Sequence, residues 1–486
     1  MVAVLLILVP LIAGLALFAV KSEAAAKSFA LFTSIIVLVI SLLGLTVLNS
    51  PANLQYSAAW MPQLNSNFHV GLDGMGQLLC FLTAVSFPLI FIATWNNTYK
   101  NANRFYALML LSQAGLLGVF LAMDGLLFYF FWELALIPVY FLSSIWGGEK
   151  RIAATFKFFV YTFVGSLIML VGIIFIYFQA QRSFDLQDWY HMKMDPGMQN
   201  WLFWFMFIAF AIKMPIWPFH TWQPDAYEQS PTAVTMVLSG IMVKMGVFAV
   251  IRWLAPVLPD AVFQWGDTVS LLCLIGMIYA SLIAIQQDDV KRLIAYSSIA
   301  HIGLMCLAIF ASDKSGLQGV MLQMFTHGIN IIGLWIVANA IETKYHTRKL
   351  SELGGLAQKD PSFAIMLVIV ALANIALPLT NGFVGEFMMF NGVFSSAVTK
   401  FGVLDTAVAG ICIILSAVYT LNMIKKIFYG NTNTLTQSGT PVSSPVLVSL
   451  AVIVVLIFIT GVYPKPMLQL TTDTVDALLK YMKTSI

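Results

Sequence analysis

Runs of apolar residues, each long enough to cross a bilayer as a helix of about 20 residues, follow one another along almost the whole chain. Hydrophobic residues occupy 60% of the 486 positions and charged residues only 10%. A soluble domain cannot cover itself with so few polar groups, so the composition indicates an integral membrane protein. The net charge of +3 is too small to indicate a nucleic-acid partner; the lipid bilayer is the partner that the composition predicts.

Fourteen segments have the length and apolarity of membrane spans, which predicts an all-α polytopic fold. They cover residues 2–20, 28–49, 73–96, 105–122, 124–146, 152–179, 200–221, 224–253, 264–286, 290–311, 315–342, 362–397, 402–427 and 444–463. An even number of spans places both termini on the same side. The loops on the side away from the termini hold fifteen basic residues against eight on the termini's side, so the positive-inside rule predicts that both termini face outward.

Two of these spans are interrupted by helix-breaking residues. Pro215 and Pro218 lie in the region of the seventh and eighth spans, and Pro378 and Gly382 lie in the twelfth. Proline removes a backbone donor and clashes with the preceding turn. Inside a bilayer the freed backbone groups must face protein or water. The two breaks therefore indicate polar positions at membrane depth.

The positions of the two breaks predict an inverted repeat. When spans four to eight and nine to thirteen form two five-helix units, the broken span is the fourth in each unit. Because five is odd, the second unit begins on the opposite side of the membrane, as in many transporters. The predicted regions are an N-terminal three-helix segment (1–100), a first repeat (101–256), a second repeat (257–430), and a final span with a tail (431–486). Residues 466–483 of that tail form an amphipathic pattern, which fits a helix on the membrane surface or against a partner.

Four ionisable residues lie inside apolar segments: Glu133, Lys213, Lys244 and Glu386. Such a residue costs at least a few kcal/mol at membrane depth and usually faces a polar pathway. Glu133 follows Asp124 by nine residues, which places it about 13 Å along a helix, near mid-bilayer. A Glu133–Lys213 pair that opens and closes would act as a proton switch, with Lys244 as receiver and Glu386 as exit carrier. A static salt bridge between helices is the alternative for the first pair.

Three histidines, His220, His301 and His327, lie in or beside apolar spans. Imidazole titrates near neutral pH, which suits a proton relay. A hydrogen-bonded packing role is the alternative for each of them. Ser297, Ser298 and Thr326 lie close to two of these histidines in the sequence, and either water binding or capping of helix carbonyls explains them.

The sequence gives no binding motif for an electron carrier or a nucleotide. It has no GxGxxG after a strand, no P-loop, no haem motif, and no cysteine cluster of the kind that holds iron–sulfur groups. The four cysteines lie singly in apolar stretches and fit small packing positions. Energy for ion movement would therefore come from a partner subunit or from an ion gradient.

Several long stretches of the sequence are similar to the proton-pumping antiporter-like subunits of complex I, and most nearly to their M type. The segments that carry the resemblance are FYFFWELALIPVYFL, FAIKMPIWPFHTWQPDAYEQSPTAVTMVLSGIMVKMG, DVKRLIAYSSIAHIGLM, THG and TNGFVGEF. The resemblance implies fourteen transmembrane helices with two inverted five-helix repeats. The weakly polar stretch 51–72 gives little indication of the outer hairpin that some members have.

The resemblance also implies site residues. The glutamate of the family's fifth helix falls on Glu133, and the lysines of its seventh and eighth helices fall on Lys213 and Lys244. The charge of the twelfth helix falls on Glu386; the L and N types and Mrp antiporter chains usually carry lysine there. The relay histidines of the family fall on His301 and His327.

The function implied by the resemblance is that of a proton-translocating membrane-arm subunit of NADH–quinone oxidoreductase. NADH, FMN, iron–sulfur clusters and quinone would then bind to partner subunits and none to this chain. The partners would include L- and N-type antiporter-like chains, in a bacterial inner membrane with both termini in the periplasm. The alternatives are a subunit of a multi-chain cation/proton antiporter, a subunit of a ferredoxin-driven quinone oxidoreductase, and a purely structural membrane subunit.

Overall fold

The computed structural model describes residues 1–437 and 441–482, and most of them lie in helices. The helices of the first half are α1 (Val2–Leu17), α2 (Glu23–Leu45), α3 (Gly74–Ala93), α4 (Ala102–Leu121), α5 (Gly125–Trp146), α6 (Arg151–Gln179), α7a (Pro196–Lys213), α7b (Trp222–Gln229) and α8 (Thr232–Leu254). Those of the second half are α9 (Pro259–Gln286), α10 (Val290–Phe310), α11 (Lys314–Tyr345), α12a (Pro361–Asn374), α12b (Asn381–Phe394), α13 (Gly402–Phe428), α14 (Ser444–Val462) and α15 (Lys465–Met482). Short helices cover Pro51–Leu54, Leu186–His191, Leu356–Lys359 and Thr434–Gln437, and two 3-10 turns cover Pro62–Leu64 and Leu350–Glu352.

Within the described residues, eleven helices are long and apolar enough to cross a membrane, namely α2 to α6, α8 to α11, α13 and α14. Shorter apolar helices, α1 and α12a, accompany them. The all-α polytopic fold is thereby confirmed. The count of fourteen spans stays a prediction, because α1 is short and the seventh and twelfth spans are each divided in two.

The predicted boundary between the seventh and eighth spans differs from the observed one. Residues 222–229, which the hydropathy pattern joins mainly to the eighth span, form the separate helix α7b. Ser230 and Pro231 divide α7b from α8. Proline has no backbone N–H and disfavours helical geometry in the residue before it, so α8 begins only after Pro231.

A β-hairpin occupies part of the weakly polar stretch 51–72, where the sequence pattern offers little indication of one. Strands β1 (Gln55–Met61) and β2 (Ser66–Gly71) pair in an antiparallel sheet, and Asn65 takes the left-handed conformation (φ 51°) in the connection. Met123 donates its backbone N–H to the carbonyl of His69 (2.9 Å), which fixes the hairpin on the loop between α4 and α5. We call this side of the helices, with the loops 180–195, 255–258, 311–313 and 395–401, the hairpin face.

Two aspartates, Asp124 and Asp289, cap the second helix of each predicted unit in the same way. The side chain of each accepts the backbone N–H groups of the second and third residues that follow, at 3.0 Å for Asp124 and at 2.8 and 3.2 Å for Asp289. The residue after each cap donates to the loop beyond the third helix of the unit, to the carbonyl of Phe184 (2.8 Å) or Arg348 (3.0 Å). The first contact lies on the hairpin face and the second on the opposite face, as an inverted repeat requires.

Helix α15 packs on the chain's own helices. The sequence pattern had predicted a helix that lies on the membrane surface or against a partner. The backbone N–H of Gly74 in α3 donates to the Thr474 hydroxyl (3.0 Å), and Lys314 in α11 forms an ion pair with Asp476 (2.6 Å). A Cβ atom on Gly74 would lie 1.8 Å from the carbonyl oxygen of Leu470. The amphipathic pattern therefore reflects packing across the hairpin face.

Candidate functional site

The two helices that carry the central part of the site, α8 and α11, are fully buried among the other helices. Helix α8 is not regular, since it has π-helical turns at Leu238–Met242 and at Val250–Leu254. Such turns widen the backbone and often occur at functional sites. Lys244 lies just after the first π-helical turn, and its Nζ donates to the carbonyl of Ser239 over 2.7 Å.

Lys244 has a second partner on α11. Its Nζ lies 2.9 Å from Nδ1 of His327, and both side chains are buried, at 0% and 1% exposure. An ammonium donates to a neutral imidazole nitrogen, and a neutral amine accepts from a protonated one. The pair can therefore hold a proton on either residue, and this contact joins the first unit to the second.

His301 on α10 lies next to His327. The two imidazole centroids are 5.2 Å apart, and Ser298 Oγ lies 3.5 Å from Nε2 of His327. The two rings form no direct hydrogen bond among the described residues, so the Ser298 hydroxyl is the polar group beside the gap. Ser297, by contrast, donates to the carbonyl of Ile294 (2.8 Å) and caps its own helix.

Glu386 on α12b contacts His301. Its Oε1 lies 3.2 Å from Nδ1 of His301 and 3.4 Å from Nε2 of Gln323. Asn374 Nδ2 lies 3.4 Å from the other ring nitrogen of His301. The structure thus brings four predicted residues into one series, which we call the transfer row: Lys244, His327, His301 and Glu386.

The break between α12a and α12b is held by amides that the sequence reasoning did not single out. Asn330 Nδ2 donates to the carbonyl of Ala373 (3.2 Å) and to Oδ1 of Asn381 (2.9 Å). Ala376 and Leu379 have left-handed backbone, with φ of 56° and 75°, which costs energy in residues other than glycine. Asn330 satisfies one backbone carbonyl at the break, that of Ala373, and also bonds the side chain of Asn381. The sequence does contain an indication of them, because both asparagines are polar residues inside apolar segments.

Glu133 and Lys213 are neighbours, and the structure shows the predicted pair in an open arrangement, without the static salt bridge that was the alternative. They interact electrostatically, yet no carboxylate oxygen of Glu133 lies within 4.0 Å of the ammonium among the described ion pairs. Lys213 is 1% exposed, its Nζ has no hydrogen-bond partner in the described residues, and it lies 5.4 Å from the ring centroid of Trp132. The Ser166 hydroxyl donates to the carbonyl of Phe163 (3.0 Å), and Oε1 of Glu133 has no hydrogen-bond partner in the described residues.

His220 lies apart from the transfer row. It sits in the break between α7a and α7b, is 3% exposed, and packs edge-on against Tyr279 with 5.2 Å between the ring centroids. Its Nδ1 has no hydrogen-bond partner within the described part of the chain. The structure gives no direct contact between His220 and the four residues of the row.

Arg252, close to the end of α8, is a buried charge outside the transfer row. It is 2% exposed and forms an ion pair with Asp73 over 2.5 Å, on the hairpin face. A second pair joins His69 to Asp185 (2.8 Å). Burial raises the pKa of Asp185, but hydrogen bonds from His69 and from a backbone N–H outweigh it, so this pKa lies below its ordinary value.

An ion-pair network on the opposite face ties α7b to the second unit. Glu228 of α7b binds Arg292 (2.8 Å) and Arg348 (3.0 Å), while Asp225 binds Lys157 (2.8 Å). The short helix after the first break is thus anchored to α10 and to the loop that follows α11. These contacts fix α7b relative to α6, to α10 and to the loop after α11.

A sequence model of the family described as "NADH:quinone oxidoreductase/Mrp antiporter, TM" matches residues 122–413, which include both breaks and the whole transfer row. The chain belongs to this family. Subunit M of the NADH-quinone oxidoreductase of Rickettsia conorii is 36% identical over 424 residues, which are 87% of this chain and 85% of the relative. Subunit M of the F(420)H(2) dehydrogenase of Methanosarcina mazei is 34% identical over 495 residues, covering 98% of each.

The family fold is also seen in a solved structure. A chain of the respiratory complex I from Thermus thermophilus with bound NADH superimposes with a TM-score of 0.92, at 26% identity, over 100% of both chains. The names of the two relatives and of this structure all refer to respiratory complexes or to related dehydrogenases. The chain is accordingly a membrane subunit of the kind found in multi-subunit complexes.

Proposed function

We propose that the chain is a proton-translocating membrane subunit of an NADH–quinone oxidoreductase, driven by quinone reduction in neighbouring subunits. The observation that carries the proposal is the transfer row from Lys244 through His327 and His301 to Glu386. The names of the relatives support the assignment to this enzyme. The redox groups, NADH, FMN, iron–sulfur clusters and quinone, would be bound by partner subunits.

In the proposed mechanism Lys213 takes up a proton in the first unit and passes it to Lys244. The position of Glu133 relative to Lys213 sets how strongly that proton is held, because the carboxylate stabilises the charged amine. Lys244 then donates through Nζ to Nδ1 of His327. An imidazole can bind a proton on one nitrogen and release one from the other, so the histidines hand the charge on to Glu386.

His220 has a separate place in this scheme. It lies in the first break, on the side of α7b, and we assign it to proton supply toward Lys213 and not to the row itself. Its unpartnered Nδ1 and its depth within the seventh span support this assignment.

The repeat boundaries and the orientation belong to the same proposal. The matching caps at Asp124 and Asp289 support units of 101–256 and 257–430, preceded by 1–100 and followed by 431–486. We place the chain in a bacterial inner membrane with the hairpin face and both termini in the periplasm, next to L- and N-type antiporter-like chains. The distribution of basic residues supports this orientation.

A second candidate function differs in the electron donor alone. The relative from Methanosarcina mazei, which this chain matches from end to end, is named as part of an F(420)H(2) dehydrogenase. A complex that uses such a donor, or a ferredoxin, would need the same transfer row, because electrons enter through other chains. Donor specificity of the purified complex separates these candidates.

The test replaces Lys244 by methionine, which keeps most of the side-chain volume and removes the charge. The complex carrying Lys244→Met is reconstituted in liposomes, and proton uptake is followed with a pH-sensitive dye during NADH–quinone turnover. We expect translocation to fall at least about tenfold at equal complex content. The matched control is Lys425→Met, an exposed lysine of α13. Parental translocation by Lys244→Met would refute the proposal.

A further inference from the structure

A cavity lies beside the last residues of the transfer row. His301 and Glu386 line one side of it, and helix α13 forms the other side with Ala409, Cys412 and Ser416. The cavity therefore begins at the carboxylate that ends the row. Its α13 lining runs from Tyr419 to Ala409, so Ala409 marks the end of the cavity that is nearest to the hairpin face.

The α13 wall is one continuous helical face. Residues 405, 409, 412, 416 and 419 follow one another at intervals of three or four, and all five are buried. Such spacing places their side chains one above the other on the same side of the helix. Four of the five line the cavity, and Asp405 is the next residue in the series toward the hairpin face.

Tyr419 adds a hydroxyl group to the lining of the cavity. Its side chain is 1% exposed and lines the cavity, and its hydroxyl has no hydrogen-bond partner among the described residues. Buried hydroxyls are nearly always hydrogen-bonded, so a polar partner for Tyr419 is expected within the cavity. The adjoining Ser416 donates to the carbonyl of Ile413 (2.7 Å) and can accept a further hydrogen bond.

Asp405 is a buried acid that packing does not explain. It is 6% exposed, and its side chain forms no hydrogen bond or ion pair within residues 1–437 and 441–482. Its one electrostatic neighbour among the acids is Asp267 on α9, across the same interface. It stands four residues before Ala409, about 6 Å along the helix axis. Asp405 lies in the first turn of α13, where the helix dipole favours a carboxylate, but a buried carboxylate without a hydrogen bond still costs free energy.

We propose that Asp405 is the proton-release group of the chain on the hairpin face, reached from Glu386 through the cavity between α9 and α13. The protonated carboxyl of Glu386 gives its proton to a water-filled passage, and the carboxylate of Asp405 accepts a proton at the other end. Asp405 then loses it to the solution and returns to the carboxylate form. The proposal rests on the proposed role of Glu386, and it adds the route and the final acceptor.

The first test measures proton release by complexes that carry Asp405→Asn or Asp405→Glu. We expect Asp405→Asn to lower the rate of proton release at least about tenfold, because the amide cannot titrate, and Asp405→Glu to keep a substantial part of it. Asp473→Asn is the control, since Asp473 is an exposed acid on the same face. Equal release by Asp405→Asn and the parent would overturn the role of Asp405.

The second test follows the passage without using proton pumping. Cys412 is kept as the only cysteine of the chain by replacing Cys80, Cys273 and Cys306 with alanine. Ag⁺ is applied to the complex in membrane vesicles of either orientation, and free Cys412 thiol is then counted with a maleimide after denaturation. We expect protection when Ag⁺ is added on the hairpin face, and slower protection in Ala409→Phe, whose ring fills the passage.

The two tests distinguish the route from the proposed function. Lys244→Met should stop pumping and still allow Ag⁺ to reach Cys412 from the hairpin face, because the passage lies beyond the row. Protection from the opposite face alone, or from neither face, would overturn the route even if Glu386 proves essential. Protection that is unchanged in Ala409→Phe would overturn it as well.

Discussion

Nζ of Lys244 lies 2.9 Å from Nδ1 of His327, and this contact is where the two repeat units meet at the centre of the site. Lys244 belongs to α8, the last helix of the first unit, and His327 to α11 of the second. Only one of the two facing nitrogens can hold the proton between them. The interface between the units is therefore also a step in the proposed proton path.

Replacing His327 by glutamine tests that step. Glutamine can keep a hydrogen bond to Lys244 but does not titrate, so we expect proton translocation to fall at least about tenfold while the complex still assembles. Dye-monitored proton uptake in proteoliposomes measures this, normalised to complex content. His191→Gln is the control, because His191 is an exposed histidine on the hairpin face. Similar pumping by both variants would mean that His327 only packs.

Replacing Glu133 by alanine tests the control of Lys213. Lys213 would lose the neighbouring carboxylate with which it interacts, so we expect proton pumping to be abolished or strongly reduced. Glu133→Asp should keep part of the activity, because the carboxylate remains although its reach is shorter. Pumping is measured in membrane vesicles, and assembly by native gel electrophoresis. Glu149→Ala, a loop carboxylate beyond α5, serves as control. Normal pumping by Glu133→Ala would contradict the prediction.

Three replacements of Glu386 test whether this residue carries protons or only contributes to packing. Glu386→Gln keeps size and hydrogen bonding but cannot titrate, so it should pump clearly less than Glu386→Asp. Glu386→Lys restores a titratable group and imitates the sibling subunits, so it should keep partial function. Proton translocation is compared at equal amounts of assembled complex. If all three variants pump like the parent, Glu386 is not part of the path.

Removing either helix cap should lower the free energy of unfolding. The full cost includes other contacts, because Asp124 also accepts from the Ser66 hydroxyl and the Asn67 backbone N–H, and Asp289 also pairs with Arg348. Asp124→Ala and Asp289→Ala each remove two hydrogen bonds to the first turn of a helix, and loss of an N-cap typically costs about 0.5–2 kcal/mol. Because the caps lie on opposite faces, the two costs should add in the double variant. Thermal unfolding in detergent measures the effect, with Asp195→Ala, a cap of the outer end of α7a, as comparison. A double variant no less stable than either single one would argue against two equivalent units.

Part of the site could be predicted from the sequence, because polar residues are rare inside apolar segments that are long enough to span a membrane. Prolines and glycines located both breaks, and Glu133, Lys213, Lys244 and Glu386 stood out against apolar neighbours. Which side chains meet could not be predicted in the same way. Lys244 and His327 are 83 positions apart, and their contact depends on how α8 packs against α11 and on the π-helical turn before Lys244.

Other features lay beyond sequence reasoning for physical reasons. The sequence predicted a Glu133–Lys213 pair that opens and closes, but not its separation, because the two residues are far apart along the chain and their distance depends on how their helices pack. The pairing of Arg252 could not be predicted, because its partner, Asp73, caps a helix that lies far away along the chain. The hairpin at 55–71 has too little alternation of polar and apolar residues to stand out beside the long apolar helices.

The packing of α15 has a consequence for how the protein is made. Helix α15 is translated after every helix that it touches, and it binds α3 through Gly74 and α11 through Lys314. During synthesis these early and middle helices therefore enter the membrane with their outer ends uncovered. A nascent chain halted after α14 leaves the loops around Asp73 and Arg252 open to proteases, and resistance of those loops to cleavage marks a chain whose translation has passed residue 482.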